Sequence, residues 1–214
     1  MSILNAWVSA ERAVVGVDTA ASIAAVASPG RSEGASHATK LLPLAHLNAI
    51  VAIRGNATFL ATLAAILLMH PLRDGDQLLE ALPGVLPAAF QALIAAMRAN
   101  GHDTADAATS AALAQQEIVL VAWSPSRRRF LGREYVQQDP ARGFVADEIA
   151  PEYSAPWDPS LPPHPDFSNR VTMTAYARLQ VKLLREKAPG VAAGGRFIVT
   201  ELRPGRIQID VSEL

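Results

Sequence analysis

No cysteine occurs in the 214 residues, which excludes disulfides, thiolate-bound metals and a cysteine nucleophile. Aromatics are scarce, at 6%, so Trp123, Tyr153 and Trp157 are read as core or interface anchors rather than the lining of a groove. Neither sign of charge dominates: 19 Lys and Arg stand against 20 Asp and Glu, interspersed along the chain, for a net charge of -1. That balance argues against nucleic acid as a main partner, and the basic turn Ser126–Arg129 reads as a solvated hairpin tip. The five histidines include no pair at the helical spacing of a metal site, so no metal is expected. The longest apolar run, Ala57–Met69, is too short to cross a bilayer, and the N-terminus lacks the basic and apolar regions of a signal peptide. The expectation is a cytoplasmic chain with no membrane partner.

Half of the residues are apolar, enough to bury the core of a single domain over 1–214. Ile3–Val8 and Ala13–Asp18 read as an antiparallel hairpin, and His46–Asn56 as a strand stopped by glycine. An apolar helix follows, from Asn56 or Thr58 to about His70. A second helix is expected from a cap at Asp76 to Gly101, kinked or split by Pro83 and Pro87. Two β runs around "SPSRRR" form another hairpin. Asp139–Asn169 holds seven of the fifteen prolines and reads as an irregular surface excursion. Residues 171–187 are an amphipathic helix with a basic last turn, and a third hairpin turns at "RPGR". Antiparallel groups with helices between them predict an α+β fold, a four-layer αββα sandwich of two stacked sheets inside two helical layers.

Three stretches at the front, "VVGVDTAAS", "TKLLPL" and "AIVAIRGN", and one at the end, "GVAAGGRFIVTELRPGRIQID", resemble proteasome β-type subunits. Those are N-terminal-nucleophile (Ntn) hydrolases, and the resemblance, to a bacterial-type member, covers about residues 2–70 and 171–211. It implies an amide or peptide hydrolase acting on a peptide or protein, without a cofactor, assembled as a homo-oligomer. In the family the first residue of the mature chain is the nucleophile and its own α-amine the base. Its sixteen-residue distance from a strand-end aspartate matches Ser2 to Asp18, with Met1 removed. The lysine at the start of the next strand matches Lys40, and the glycine that donates to the oxyanion matches Gly55.

The chemistry asks for those residue types. A hydroxyl becomes a nucleophile when a base takes its proton, and an uncharged α-amine on the same residue can do so. A charged Lys40 nearby disfavours a second positive charge and keeps the amine neutral, while Asp18 holds the lysine oriented. Gly55 admits a close backbone approach, at a helix start aimed at developing negative charge. Two departures are visible. Serine stands where the family has threonine and lacks the methyl that restricts its rotamer. The family's later serine and aspartate are matched only loosely, by Asp166 and Ser168 in "PPHPDFSNRVT". The alternative is therefore a non-catalytic scaffold or shell subunit of the same fold. A third reading, a small-molecule amidase, needs a closed pocket.

Overall fold

A computed structural model describes residues 2–22, 35–106, 113, 116–137, 143–188 and 193–214. The N-terminal hairpin is β1 (Leu4–Val8) and β2 (Ala13–Asp18). Two short strands, β3 (Ala20–Ser22) and β4 (Ala35–His37), pair with each other. β5 (Leu41–Leu44) and β6 (Ala49–Arg54) follow, so the strand expected over His46–Asn56 is shorter, with a 3₁₀ turn at Ala45–Leu47 before it. Then come α1 (Ala57–Met69), α2 (Gly75–Ala99), β7 (Gln116–Ser124), β8 (Arg129–Gln137), β9 (Val145–Glu148) and β10 (Glu152–Ala155). α3 (Arg170–Lys187), β11 (Arg196–Arg203) and β12 (Arg206–Glu213) close the chain.

Two five-stranded antiparallel sheets result, one ordered β10-β1-β2-β11-β12 and the other β5-β6-β7-β8-β9. Three cores separate four layers. Phe59, Leu63, Leu82, Leu86 and Phe90 of α1 and α2 pack on Ile53, Ile118 and Leu120 of the second sheet. Val15, Val17, Ile50, Val121 and Phe130 fill the space between the sheets. Val14 and Phe197 meet Met173, Tyr176 and Val181 of α3 on the far side. The fold is the expected α+β sandwich with helices outside. Because both faces of each sheet are covered, β2 buries every residue of "AVVGVD" and shows no polar alternation.

Two expectations are corrected. α2 is not split: it runs continuously with Pro83 and Pro87 inside it, and its cap is Asp74 rather than Asp76, the Asp74 side chain accepting the Gln77 N–H at 3.0 Å. Both prolines are on the exposed face, where a freed carbonyl can be hydrated, while Leu82, Val85, Leu86 and Ala89 hold the opposite face to the sheet. This helix has the length and hydropathy of a bilayer span, yet its apolar stripe is a packing face of the first core. The proline-rich stretch 139–169 carries β9 and β10, which extend one sheet each, pairing with β8 and β1. Pairing there is set by the neighbouring edge strands, which local composition does not register.

Candidate functional site

The candidate residues sit at element ends, and strand pairing decides which ends meet. β1 runs antiparallel to β2 with Leu4 opposite Val17, so Ser2 and Ile3 arrive beside Asp18. The Ile3 N–H donates to Asp18 Oδ1 at 2.9 Å, and the Asp18 N–H returns a bond to the Ile3 carbonyl. In the other sheet β5 pairs with β6, Leu41 opposite Ala52, which sets Lys40 beside Ile53; the Ile53 N–H donates to the Lys40 carbonyl at 2.9 Å. Gly55 lies two residues beyond, between β6 and α1, at φ 140°, a conformation that favours glycine. One hairpin from each sheet thus brings its end to a common place.

Across the sheets the contact is ionic. Lys40 Nζ donates to Asp18 Oδ1 at 2.8 Å and also to the Ala20 carbonyl. Asp18 Oδ2 accepts the Gly194 N–H at 3.2 Å. Since Oδ1 also takes the Ile3 N–H, the ammonium lies within two hydrogen-bond lengths of the Ser2–Ile3 peptide. Lys40 is 2% exposed, Asp18 fully buried, and Ser2 5% exposed. Burial lowers the Lys40 amine below the ordinary lysine range, and the Asp18 carboxylate pulls it partly back.

A second network approaches Ser2 from the other side and was not foreseen from the residues. Arg54 Nε donates to the Ser2 carbonyl at 2.8 Å, and its guanidinium pairs with Glu117. The Tyr153 hydroxyl donates to Glu117 Oε2 at 2.9 Å. Burial, with the Glu117 charge beside it, pushes the Tyr153 hydroxyl far above its usual range, so it stays a donor. The visible signal was Arg54 itself, a lone charge ending the apolar strand "AIVAIR". At Gly55, the next residue, no hydrogen bond of the N–H is formed among the described residues. A groove of about 400 Å³ runs beside Lys40 between β5 and the first half of α1, lined by Ala38, Leu41, Leu60 and Ala61 among others.

The loose candidates Asp166 and Ser168 are not brought to this place. Arg12 donates to the Ser168 carbonyl at 3.0 Å, and the two lie with Arg12 on a polar cavity of 610 Å³. Arg12 precedes β2, and Asp18 ends it; at about 3.3 Å per residue the strand separates them by roughly 20 Å. Met1, on whose removal the Ser2 amine depends, lies outside the described residues.

No family model matches the chain, and no curated protein does. Solved structures do. Anbu (ancestral beta-subunit) from Yersinia bercovieri is 11% identical, with TM-score 0.60, over 99% of this chain and 87% of that one. The Gly-1 mutant of Anbu from Hyphomicrobium sp. strain MC1 is 10% identical, with TM-score 0.59, over 100% of this chain and 88% of that one. At such identity the likeness carries the fold.

Proposed function

From the premise that the chain has the proteasome β-type Ntn-hydrolase fold, we propose that it is an amide-bond hydrolase whose nucleophile is Ser2, exposed by removal of Met1. The observation that carries the reading is the buried Lys40–Asp18 pair lodged against the Ser2–Ile3 peptide. A buried ion pair adds little net stability, so its contact with the Ser2–Ile3 peptide points to chemistry rather than to holding the fold together.

In this reading the neutral Ser2 α-amine takes the Oγ proton, directly or through a water, as Oγ attacks the amide carbon. The ammonium passes the proton to the leaving nitrogen as the C–N bond breaks, leaving an ester on Oγ. Water, deprotonated by the same amine, cleaves the ester, releasing the carboxylic acid and restoring the hydroxyl. Lys40 disfavours protonation of the amine, Asp18 fixes Lys40, and the Gly55 N–H receives the oxyanion. The groove beside Lys40 suits an apolar substrate side chain.

One observation favours a second reading, a non-catalytic subunit of the same fold. Asp166 and Ser168, the residues that loosely match the family's additional polar partners, lie with Arg12 at the opposite end of β2 from Asp18. Intact mass and labelling separate the two. A mass lacking methionine, with covalent modification by a peptidyl epoxyketone that disappears in Ser2→Ala, supports the hydrolase. Retained methionine, or an unmodified free Ser2, supports the non-catalytic subunit.

A further inference from the structure

The two five-stranded sheets have four outer edges, and three are short. β10, β5 and β9 have four residues each, β5 carries Pro43, and β9 carries Asp147 and Glu148. Short strands, prolines and charges are the devices that keep edges from pairing. β12 is neither short nor interrupted by proline, and its charges, Arg206, Asp210 and Glu213, are of both signs. It runs for eight residues in unbroken register with β11, without proline or lysine.

The hydrogen-bond phase of this edge follows from its end. The Leu214 N–H donates to the Gly195 carbonyl at 3.0 Å, in register with the pairs Phe197–Ser212 and Val199–Asp210. Even-numbered residues of β12 therefore bond to β11, and the N–H and C=O groups of Ile207, Ile209, Val211 and Glu213 point outward. Side chains at those same positions share one face. Ile207 is partly buried against the core between the sheets, while Ile209 and Val211 are 47% and 57% exposed. A separate groove of 340 Å³, lined by Val171, Thr174 and Val199 among others, lies between this edge and α3 on the opposite face of the sheet.

We propose that the edge of β12 is a self-association site, at which two copies of this chain pair antiparallel about a two-fold axis through Ile209. A two-fold axis normal to the sheet keeps the same face up in both copies, so residues of equal parity oppose each other. Centred on Ile209, the pairing sets Ile209 opposite the partner's Ile209 and Ile207 opposite the partner's Val211, uniting the outward apolar set in β-branched cross-strand pairs. Gln208 falls opposite the partner's Asp210, and Arg206 lies diagonal to the partner's Asp210, an opposite-charge contact made twice. Centring on Asp210 would place two carboxylates face to face, and centring on Gln208 would leave Val211 opposite the partner's Gly205. The pattern is thus self-complementary in one register, and the two sheets join into one of ten strands. The inference does not depend on catalysis.

The absence of cysteine makes the test clean. Opposed residues in a bonded antiparallel pair sit about 5.5 Å apart at Cα, within disulfide reach. Single variants Gln208→Cys, Ile209→Cys and Asp210→Cys of the full chain are oxidised mildly and resolved by non-reducing electrophoresis, beside sedimentation of the wild type and Ile209→Lys. Expected are a concentration-dependent dimer, cross-linking several-fold faster at Ile209→Cys than at its neighbours, and a dimer dissociation constant raised at least tenfold in Ile209→Lys. Circular dichroism shows the variants folded. A wild type that is monomeric at all concentrations overturns the proposal, as does an assembly indifferent to Ile209→Lys. Preferential cross-linking at 208 or 210 overturns the register and with it the proposal as stated.

Discussion

At the scale of single residues the molecule turns on one carboxylate. Asp18 receives Lys40 Nζ and the N–H groups of Ile3 and Gly194, three donors from three separated parts of the chain. Replacing Lys40 with methionine leaves that charge buried beside two amides only, and chemical denaturation should show a loss of about 3–5 kcal/mol. Epoxyketone labelling should vanish in the same variant. Linkage gives a pH signature as well. Burial holds the folded pKa of Lys40 below 10.5, so between that lowered value and 10.5 the unfolded chain binds more protons than the folded one. The stability contributed by this group rises as pH climbs through that window. Urea midpoints across the alkaline range should show a positive slope in the wild type that is reduced in Lys40→Met. Ser2, Asp18, Lys40 and Gly55 were selectable through the resemblance to proteasome β-type subunits, because the stretches that carry it are contiguous in the chain. The Gly194 amide, the Ala20 carbonyl and Arg54 were not, since each reaches the site through a pairing between distant segments.

At the scale of elements, packing overrides local preference in two places. α2 keeps Pro83 and Pro87 because its buried stripe outweighs the lost backbone bonds, so removing a proline there should help. Pro87→Ala, on the solvent face, should raise stability by about 2 kcal/mol after the greater freedom of the unfolded chain is allowed for; a thermal melt reads it. In the proline-rich stretch an ion pair clips the chain to α3, Lys187 Nζ bonding Asp158 Oδ2 at 2.7 Å. That bond and those from Ser160 hold the Asp158 carboxyl down at about 2. A depressed carboxylate stabilises the fold above its ordinary value of 3.8 and loses that contribution as pH falls from 3.8 towards 2. The melting-temperature gap between wild type and Lys187→Ala should therefore be present at neutral pH and close by pH 2. A gap that persists in acid would mean that Lys187 acts through packing alone.

At the scale of the whole molecule, the sandwich depends on how closely its sheets approach. Gly132 in β8 sits where they touch: a Cβ there would lie 2.9 Å from Val8 Cγ2 of the other sheet and 3.0 Å from Ile149 Cβ. Gly132→Val should force the layers apart and cost about 1–3 kcal/mol, measured by denaturant unfolding. Because the Asp18–Lys40 bond crosses between the sheets, labelling of Ser2 should fall in the same variant although residue 132 is remote from Ser2 in sequence. Unchanged labelling would show that the sheet spacing and the site are independent.

The chain alone determined the three hairpins, the strand before α1 and the three helices, because hydrophobic period and glycine or proline stops act over a few neighbours. It also determined the sixteen-position offset from Ser2 to Asp18, which a hairpin converts into adjacency once the strands pair. Only the tertiary structure decided that β9 and β10 complete the two sheets, that α2 runs unbroken through its prolines, and that Asp166 and Ser168 stand with Arg12 away from Ser2. Those outcomes depend on burial and pairing between segments far apart in the chain. Their energies arise only when the layers close, and no local pattern carries them.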